Sequence, residues 1–148
     1  MPDFIVMRHG EAEPPGVDPE RGLTGDGRAD AVSAAERIAA DGVRVDRTVH
    51  SGKKRAAETA SILHGRIGTA GEPEVLAGLH PGDAVENAAL EMEKSQVGMA
   101  VVGHLPHLGR LVARLLGDGG EPILRTAEAI HLRRTGAGWE WVRAYPPA

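Results

Sequence analysis

With 148 residues, a formal charge of −4 and no cysteine, the chain is long enough to bury a core of its own and excludes disulfides, thiolate catalysis and cysteine-based zinc sites. The acidic balance gives no electrostatic case for binding nucleic acid or an anionic membrane, and aromatic residues at 3% are too scarce for a base-stacking platform. No stretch approaches the roughly 20 apolar residues of a membrane span, and "MPDFIVMRHG" lacks the features of a secretory signal, so the expectation is a cytoplasmic single domain over residues 1–148.

In chain order, "FIVM" (4–7) is a short continuous apolar run, which suits a strand buried on both faces. Residues 11–23 contain Pro14, Pro15 and Pro19 and read as an irregular loop. Ala31, Ala34, Ala35, Ile38 and Ala39 then repeat at helical spacing, with Thr24 placed as N-cap and Gly42 as the stop, which predicts a helix within 23–42. A strand over 45–51, a helix over 53–68 ended by Gly68, a short strand over 73–76 and an amphipathic helix over 82–96 come next. "GMAVVGH" (98–104) is a second continuous apolar strand, and a helix over 105–117 carries Pro106 in its first turn and Gly117 at its end. "EAIHLRRT" and "WEWVRAY" alternate around Gly136-Ala137-Gly138, the pattern of a terminal β-hairpin. Strands alternating with helices and closed by a hairpin predict an α/β three-layer sandwich with a mostly parallel mixed sheet.

In open α/β folds, ligands gather outside the carboxyl ends of the strands. The first strand releases Arg8 and His9 at that edge, the second releases Ser51 with Arg55 one turn into its helix, and the fourth releases His104. Two arginines and two histidines beside helix N–H groups describe an anion site, most simply a phosphate site. Each residue alone has an ordinary reading. Arg55 could pair with Glu58 along its helix, and His50, His64 and His131 read as surface or satisfied histidines. His104 and His107 have the spacing of a metal pair but no third ligand nearby, so no metal site is expected.

These residues carry a resemblance. "RHG" at the end of the first strand resembles the defining motif of the histidine phosphatase superfamily. "LTGDGRADA" (23–31), "SGKKRAAETA" (51–60) and "VVGHLPHLGRLV" (101–112) resemble, in order, its L-T-x-x-G helix start, its S-x-x-x-R-A-x-x-T segment and its second-histidine segment. The short length, "GLHPGD" (78–83), the H-L-P continuation and the hairpin are similar to the SixA-type phosphohistidine phosphatases, the minimal members of that superfamily. The resemblance implies a phosphoglycerate mutase-like fold and metal-independent, cofactor-free dephosphorylation. It implies His9 as nucleophile and Arg8, Arg55 and His104 as ligands of the transferred phosphoryl group. Arg21 would border the pocket, and the N–H groups of the 105–108 helix start, Leu105 first, would face the substrate.

The chemistry suits these residue types. Phosphoryl transfer needs in-line positioning and positive charge on the equatorial oxygens, which forked, permanently charged guanidinium groups supply. His104, if protonated, adds a third cation. His9 must present one unprotonated nitrogen, so its other nitrogen should donate to a backbone carbonyl or an acceptor side chain, with Gly10 letting the backbone turn closely. Two departures from the family pattern stand out. Ser51-Gly52 replaces the usual Ser-Pro, and the Glu or Asp that serves larger members as general acid is missing, with Gly78 near its place. Asp83, Glu86 and His80 are the nearby candidates, Asp83 being either a general acid or a helix cap. A phosphoramidate can leave as neutral imidazole without an enzyme acid, so the expected partner is a phosphohistidine-containing protein, with inorganic phosphate as product. A small phosphorylated molecule as substrate, and a noncatalytic phosphoprotein-binding module, are the other two readings.

Overall fold

The computed structural model describes residues 2–117 and 120–147. Its elements are β1 (Asp3–Arg8), α1 (Gly25–Ala40), β2 (Arg47–His50), α2 (Lys54–Ile67), β3 (Glu74–Val75), α3 (Glu86–Lys94), β4 (Met99–Gly103), α4 (His107–Leu116), β5 (Ala129–Thr135) and β6 (Gly138–Tyr145). They form one six-stranded sheet in the order β3-β2-β4-β1-β5-β6. The pairs β2–β3, β2–β4 and β1–β4 are parallel, whereas β5 runs antiparallel to both β1 and β6. The predicted mixed sheet with a C-terminal hairpin is what the chain forms.

Both continuous apolar runs are central strands, covered on two faces. Ile5, Met7, Ala100 and Val102 pack under α1 and α2, while Phe4, Val6, Met99 and Val101 pack under α3 and α4. This alternation between two apolar faces is why neither strand shows a polar period. Small residues let α1 lie close to the sheet, with Ala31, Ala34, Ala35 and Ile38 fully buried. Thr24 caps α1 as predicted, its Oγ1 accepting the Gly27 N–H at 2.9 Å. At the other end Asp41 is the C-cap, and Gly42 succeeds it with φ +81.

Two helix starts differ from the sequence expectation. α3 begins at Glu86 rather than near 82, because Pro81, Gly82 and Asp83 are spent on a turn in which the Asp83 N–H donates to the His80 carbonyl at 3.0 Å. α4 begins at His107, with a cis Leu105–Pro106 bond ahead of it and Pro106 at its N-cap. Gly68 ends α2 without a left-handed turn (φ −73). A side chain there would put a Cβ 2.5 Å from the His64 ring, so close packing decides that glycine.

Strand order positions the site. β4 lies between β2 and β1, so the loops leaving these three strands are neighbours at one edge of the sheet.

Candidate active site

His9 leaves β1 at this edge, 8% exposed, with its N–H held by the Gly103 carbonyl at 3.0 Å. Its Nδ1–H donates to the Gly10 carbonyl at 2.7 Å. A neutral imidazole carries one hydrogen, so this bond leaves Nε2 as a free lone pair. Burial pushes the His9 imidazole down to about 4, and Arg55, Arg8 and Arg21 push the same way against the Gly10 bond. His9 is therefore unprotonated at neutral pH.

Gly10 meets the expected need for close approach. A Cβ there would lie 2.7 Å from the Gly27 carbonyl oxygen of α1. Its N–H donates to Thr59 Oγ1 at 3.0 Å, and that hydroxyl donates onward to the Arg55 carbonyl at 2.8 Å. The turn after His9 is thus tied to the helix that carries Arg55.

Arg8 is oriented by one bond, Nη1 to the Leu124 carbonyl at 2.9 Å, and its buried Nε has no partner. Glu58, the expected alternative partner of Arg55, instead accepts from the Leu23 N–H at 2.8 Å and pairs with Arg28 at 3.1 Å. Arg21 takes a left-handed backbone (φ +55) and donates Nε to the Glu13 carbonyl at 3.0 Å. Its charge reaches both His9 and Arg55. The 11–23 loop that carries Arg21 is irregular but pinned: Asp18 accepts from Gly22 N–H at 2.8 Å, from Glu20 N–H at 3.0 Å and from Lys54 at 3.1 Å. Among the described residues no carboxylate pairs with Arg8, Arg21 or Arg55. Burial lowers both Arg8 and Arg55 from the usual guanidinium value, and Arg21 adds to the effect on Arg55. Both remain cations, since the ordinary value lies far above neutrality.

His104 is 2% exposed, its ring centroid 5.0 Å from that of His9. Its Nε2 meets Ser51 Oγ at 2.6 Å, while Nδ1 is buried without a partner. The expected third cation is a correction: burial first, then His9, Arg55, Lys53 and His80, push His104 down to about 3, so it is neutral. Of the expected N–H donors at 105–108, Pro106 has none and Leu108 N–H is spent on the His104 carbonyl at 2.9 Å. Leu105 and His107 keep theirs without an acceptor among the described residues. The Leu105 side chain packs against the core on the α3/α4 face.

Asp83 makes the contacts of a turn cap, its Oδ2 accepting the His80 N–H at 2.9 Å. His80 stands at the rim, Nε2 donating to the Ser51 carbonyl at 3.2 Å. His107 is fully buried, its ring near the Gly78 and Ala84 backbone, which partly offsets the lowering of its basicity by burial, and no group of three His, Cys, Asp or Glu able to hold a metal occurs among the described residues. His64 bonds Thr48 Oγ1 and the Ala70 carbonyl, His131 pairs with Asp3, and His50 Nδ1 accepts the Gly52 N–H, so these three are satisfied structural histidines. No enclosed pocket lies over the cradle among the described residues, and no helix is long and apolar enough to cross a membrane.

Two supporting contacts lie outside what the sequence announces. The Leu124 carbonyl that aims Arg8 leaves no signal, because any residue supplies a carbonyl. Thr59, which holds Gly10, is visible only as the last residue of the S-x-x-x-R-A-x-x-T segment.

Residues 4–81 match the histidine phosphatase superfamily, branch 1. No curated protein matches the chain. Among solved structures, the protein histidine phosphatase SixA complexed with tungstate superposes with a TM-score of 0.87 at 24% identity, covering 98% of this chain and 97% of that one. A candidate phosphohistidine phosphatase SixA from Agrobacterium tumefaciens gives 0.78 at 19% identity, covering 97% of both chains. A phosphoserine phosphatase mutant from Entamoeba histolytica, in complex with phosphoserine, gives 0.73 at 14%, covering 99% and 98%. The shared fold extends over nearly the whole chain.

Proposed function

This chain belongs to the histidine phosphatase superfamily, and on that premise we propose that it is a metal-independent phosphatase acting through His9 on phosphohistidine in a protein substrate. One observation carries the reading: three arginines without carboxylate partners lie within electrostatic reach of a neutral histidine whose Nε2 is free. Arg8 and Arg55 bind the phosphoryl oxygens, Arg21 adds charge at the rim, and His104 with the Leu105 N–H completes the donors. That the SixA neighbour holds tungstate, a tetrahedral oxyanion, on the same fold supports a phosphoryl-sized ligand.

His9 Nε2 attacks phosphorus in line with the P–N bond of the substrate. As the new N–P bond forms, the old one breaks, and its electron pair leaves on an imidazole already protonated at its other nitrogen. The leaving group is neutral imidazole, so no enzyme acid is needed. His9 keeps its Nδ1–H on the Gly10 carbonyl throughout. Water then bonds to phosphorus, the P–Nε2 pair returns to His9, and the water hydrogens leave with inorganic phosphate.

One feature favours a phosphohistidine protein over a small ester: Asp83 is engaged as a cap rather than aimed at a leaving group. The fold shared with a phosphoserine phosphatase supports a small ester as the second reading. Incubation with a 32P-labelled phosphohistidine protein and with a labelled small phosphomonoester, in parallel, decides between them. Label trapped on His9 and faster turnover of the phosphohistidine protein are expected. Much faster turnover of the ester overturns the protein substrate, and no turnover of either favours a binding module.

A further inference from the structure

His104 and His9 are both held by their neighbours, but through different atoms. On His9 the Nδ1 atom is bonded, to the Gly10 carbonyl, and Nε2 is free. On His104 the Nε2 atom is bonded, to Ser51 Oγ at 2.6 Å, and Nδ1 is the buried atom without a partner. Ser51 is itself fixed at two points. Its Oγ accepts the Lys53 N–H at 3.3 Å, and its carbonyl accepts His80 Nε2–H at 3.2 Å.

We propose that Ser51 is a positioning residue that donates its hydroxyl hydrogen to His104 Nε2 and so fixes His104 as the Nδ1–H tautomer, a neutral hydrogen-bond donor to the phosphoryl group. A neutral imidazole has one hydrogen and one lone pair. Placed on Nε2, the hydrogen would go to Ser51 and leave a lone pair on a buried Nδ1 with no donor to meet it, on a ring whose centroid lies 5.0 Å from that of His9. Placed on Nδ1, it gives the anion a donor and lets Ser51 satisfy the other nitrogen. The Lys53 N–H already occupies one acceptor position of Oγ, which leaves the Ser51 hydrogen free to point at the ring. The depressed basicity of His104 agrees with a group that works uncharged. The two facing rings then share one tautomer but present opposite ends: His9 shows a lone pair for phosphorus, and His104 shows an N–H for oxygen. A donor that does not depend on titration keeps its strength across neutral pH.

The tautomer part stands without any substrate; the role in turnover rests on the phosphatase reading. Two-bond 1H–15N correlation of the histidine rings, in wild type with and without inorganic phosphate at pH 7, reads it directly. Protonated Nδ1 and unprotonated Nε2 on His104 are expected. Ser51→Ala should lose the single tautomer and lower kcat about tenfold to a hundredfold with KM little changed, while Ser51→Thr restores both. Nε2–H or a doubly protonated His104 in wild type overturns the inference, as does a Ser51→Ala variant with unchanged tautomer and kcat. If Ser51→Ala fails to fold, the wild-type spectrum alone decides. Absence of turnover in wild type defeats the phosphatase reading and leaves the tautomer result to stand or fall by itself.

Discussion

The two edges of the sheet differ in the charges they leave unpaired. At the edge where β1 and β2 begin, charged groups close on one another. Arg47 lies between Glu74 at 2.7 Å and Glu91 at 2.8 Å, and Asp3 meets His131 at 2.9 Å. Where the same strands end, Lys54 and Arg28 pair with Asp18 and Glu58, whereas Arg8, Arg21 and Arg55 have backbone carbonyls or nothing as partners among the described residues. The basicities record the contrast. Carboxylates raise Arg47, whereas burial lowers Arg8 and Arg55. Partly buried like charges left unpaired destabilise a fold, and the proposed phosphoryl ligand would offset that cost.

The largest break in this comparison comes at His9. His9→Ala should reduce turnover at least about a thousandfold and abolish the trapped phosphoenzyme, with binding of inorganic phosphate retained by calorimetry. Arg55→Ala comes next, with a loss of about a hundredfold to a thousandfold in kcat/KM. The same change should sharpen the stability contrast. Saturating phosphate raises the melting temperature of wild type, by roughly 2.7 kcal/mol of added stability at a hundredfold excess over Kd. Arg55→Ala should melt no lower than wild type without phosphate and lose most of that shift. A variant that melts far lower without phosphate would mean Arg55 holds the fold, not a ligand.

Acid should affect the two edges over different pH windows. His9 and His104 sit at about 4 and about 3, below the ordinary 6.5, so the folded state binds fewer protons than the unfolded one between those values. Their contribution is fully present above 6.5 and falls as pH drops from there toward 3. Glu91, lowered by its bond to Arg47, contributes above the ordinary carboxylate value of 4.5 and loses that contribution at more acid pH. Denaturant titrations should therefore show stability declining first below 6.5, a decline that His104→Gln makes shallower. The His9 limb of kcat/KM should appear only near pH 4, because His9 stays unprotonated until then. The smallest effect is expected at the paired edge. Arg47→Ala should cost about 1 kcal/mol or less by denaturant unfolding and leave kcat unchanged.

Much of this is legible in the residues themselves. The runs "FIVM" and "MAVVG" announce strands buried on both faces, and Arg8-His9 and His104 succeed each run directly. The start of α3 is not legible, because the Pro81–Asp83 turn shares its polar composition with a helix first turn. Glu58 is an acceptable partner for Arg55 at helical spacing, yet it turns instead to Leu23 and Arg28, which lie far away in sequence. His64 and His131 are readable as satisfied, but their partners Thr48, Ala70 and Asp3 are not.

The chain by itself determined the order of elements, the family, and which strand ends carry cations and imidazoles. These depend on local pattern: apolar runs, caps, glycines and a few residues at fixed spacing. Only the tertiary structure decided that β4 lies between β2 and β1, which seats His104 between Ser51 and His9. Only it decided that His104 is neutral, because proton affinity sums desolvation and charge over neighbours brought in by three separate strands. The same packing left the arginines unpaired, since where a carboxylate reaches is set by the fold and not by its distance along the chain.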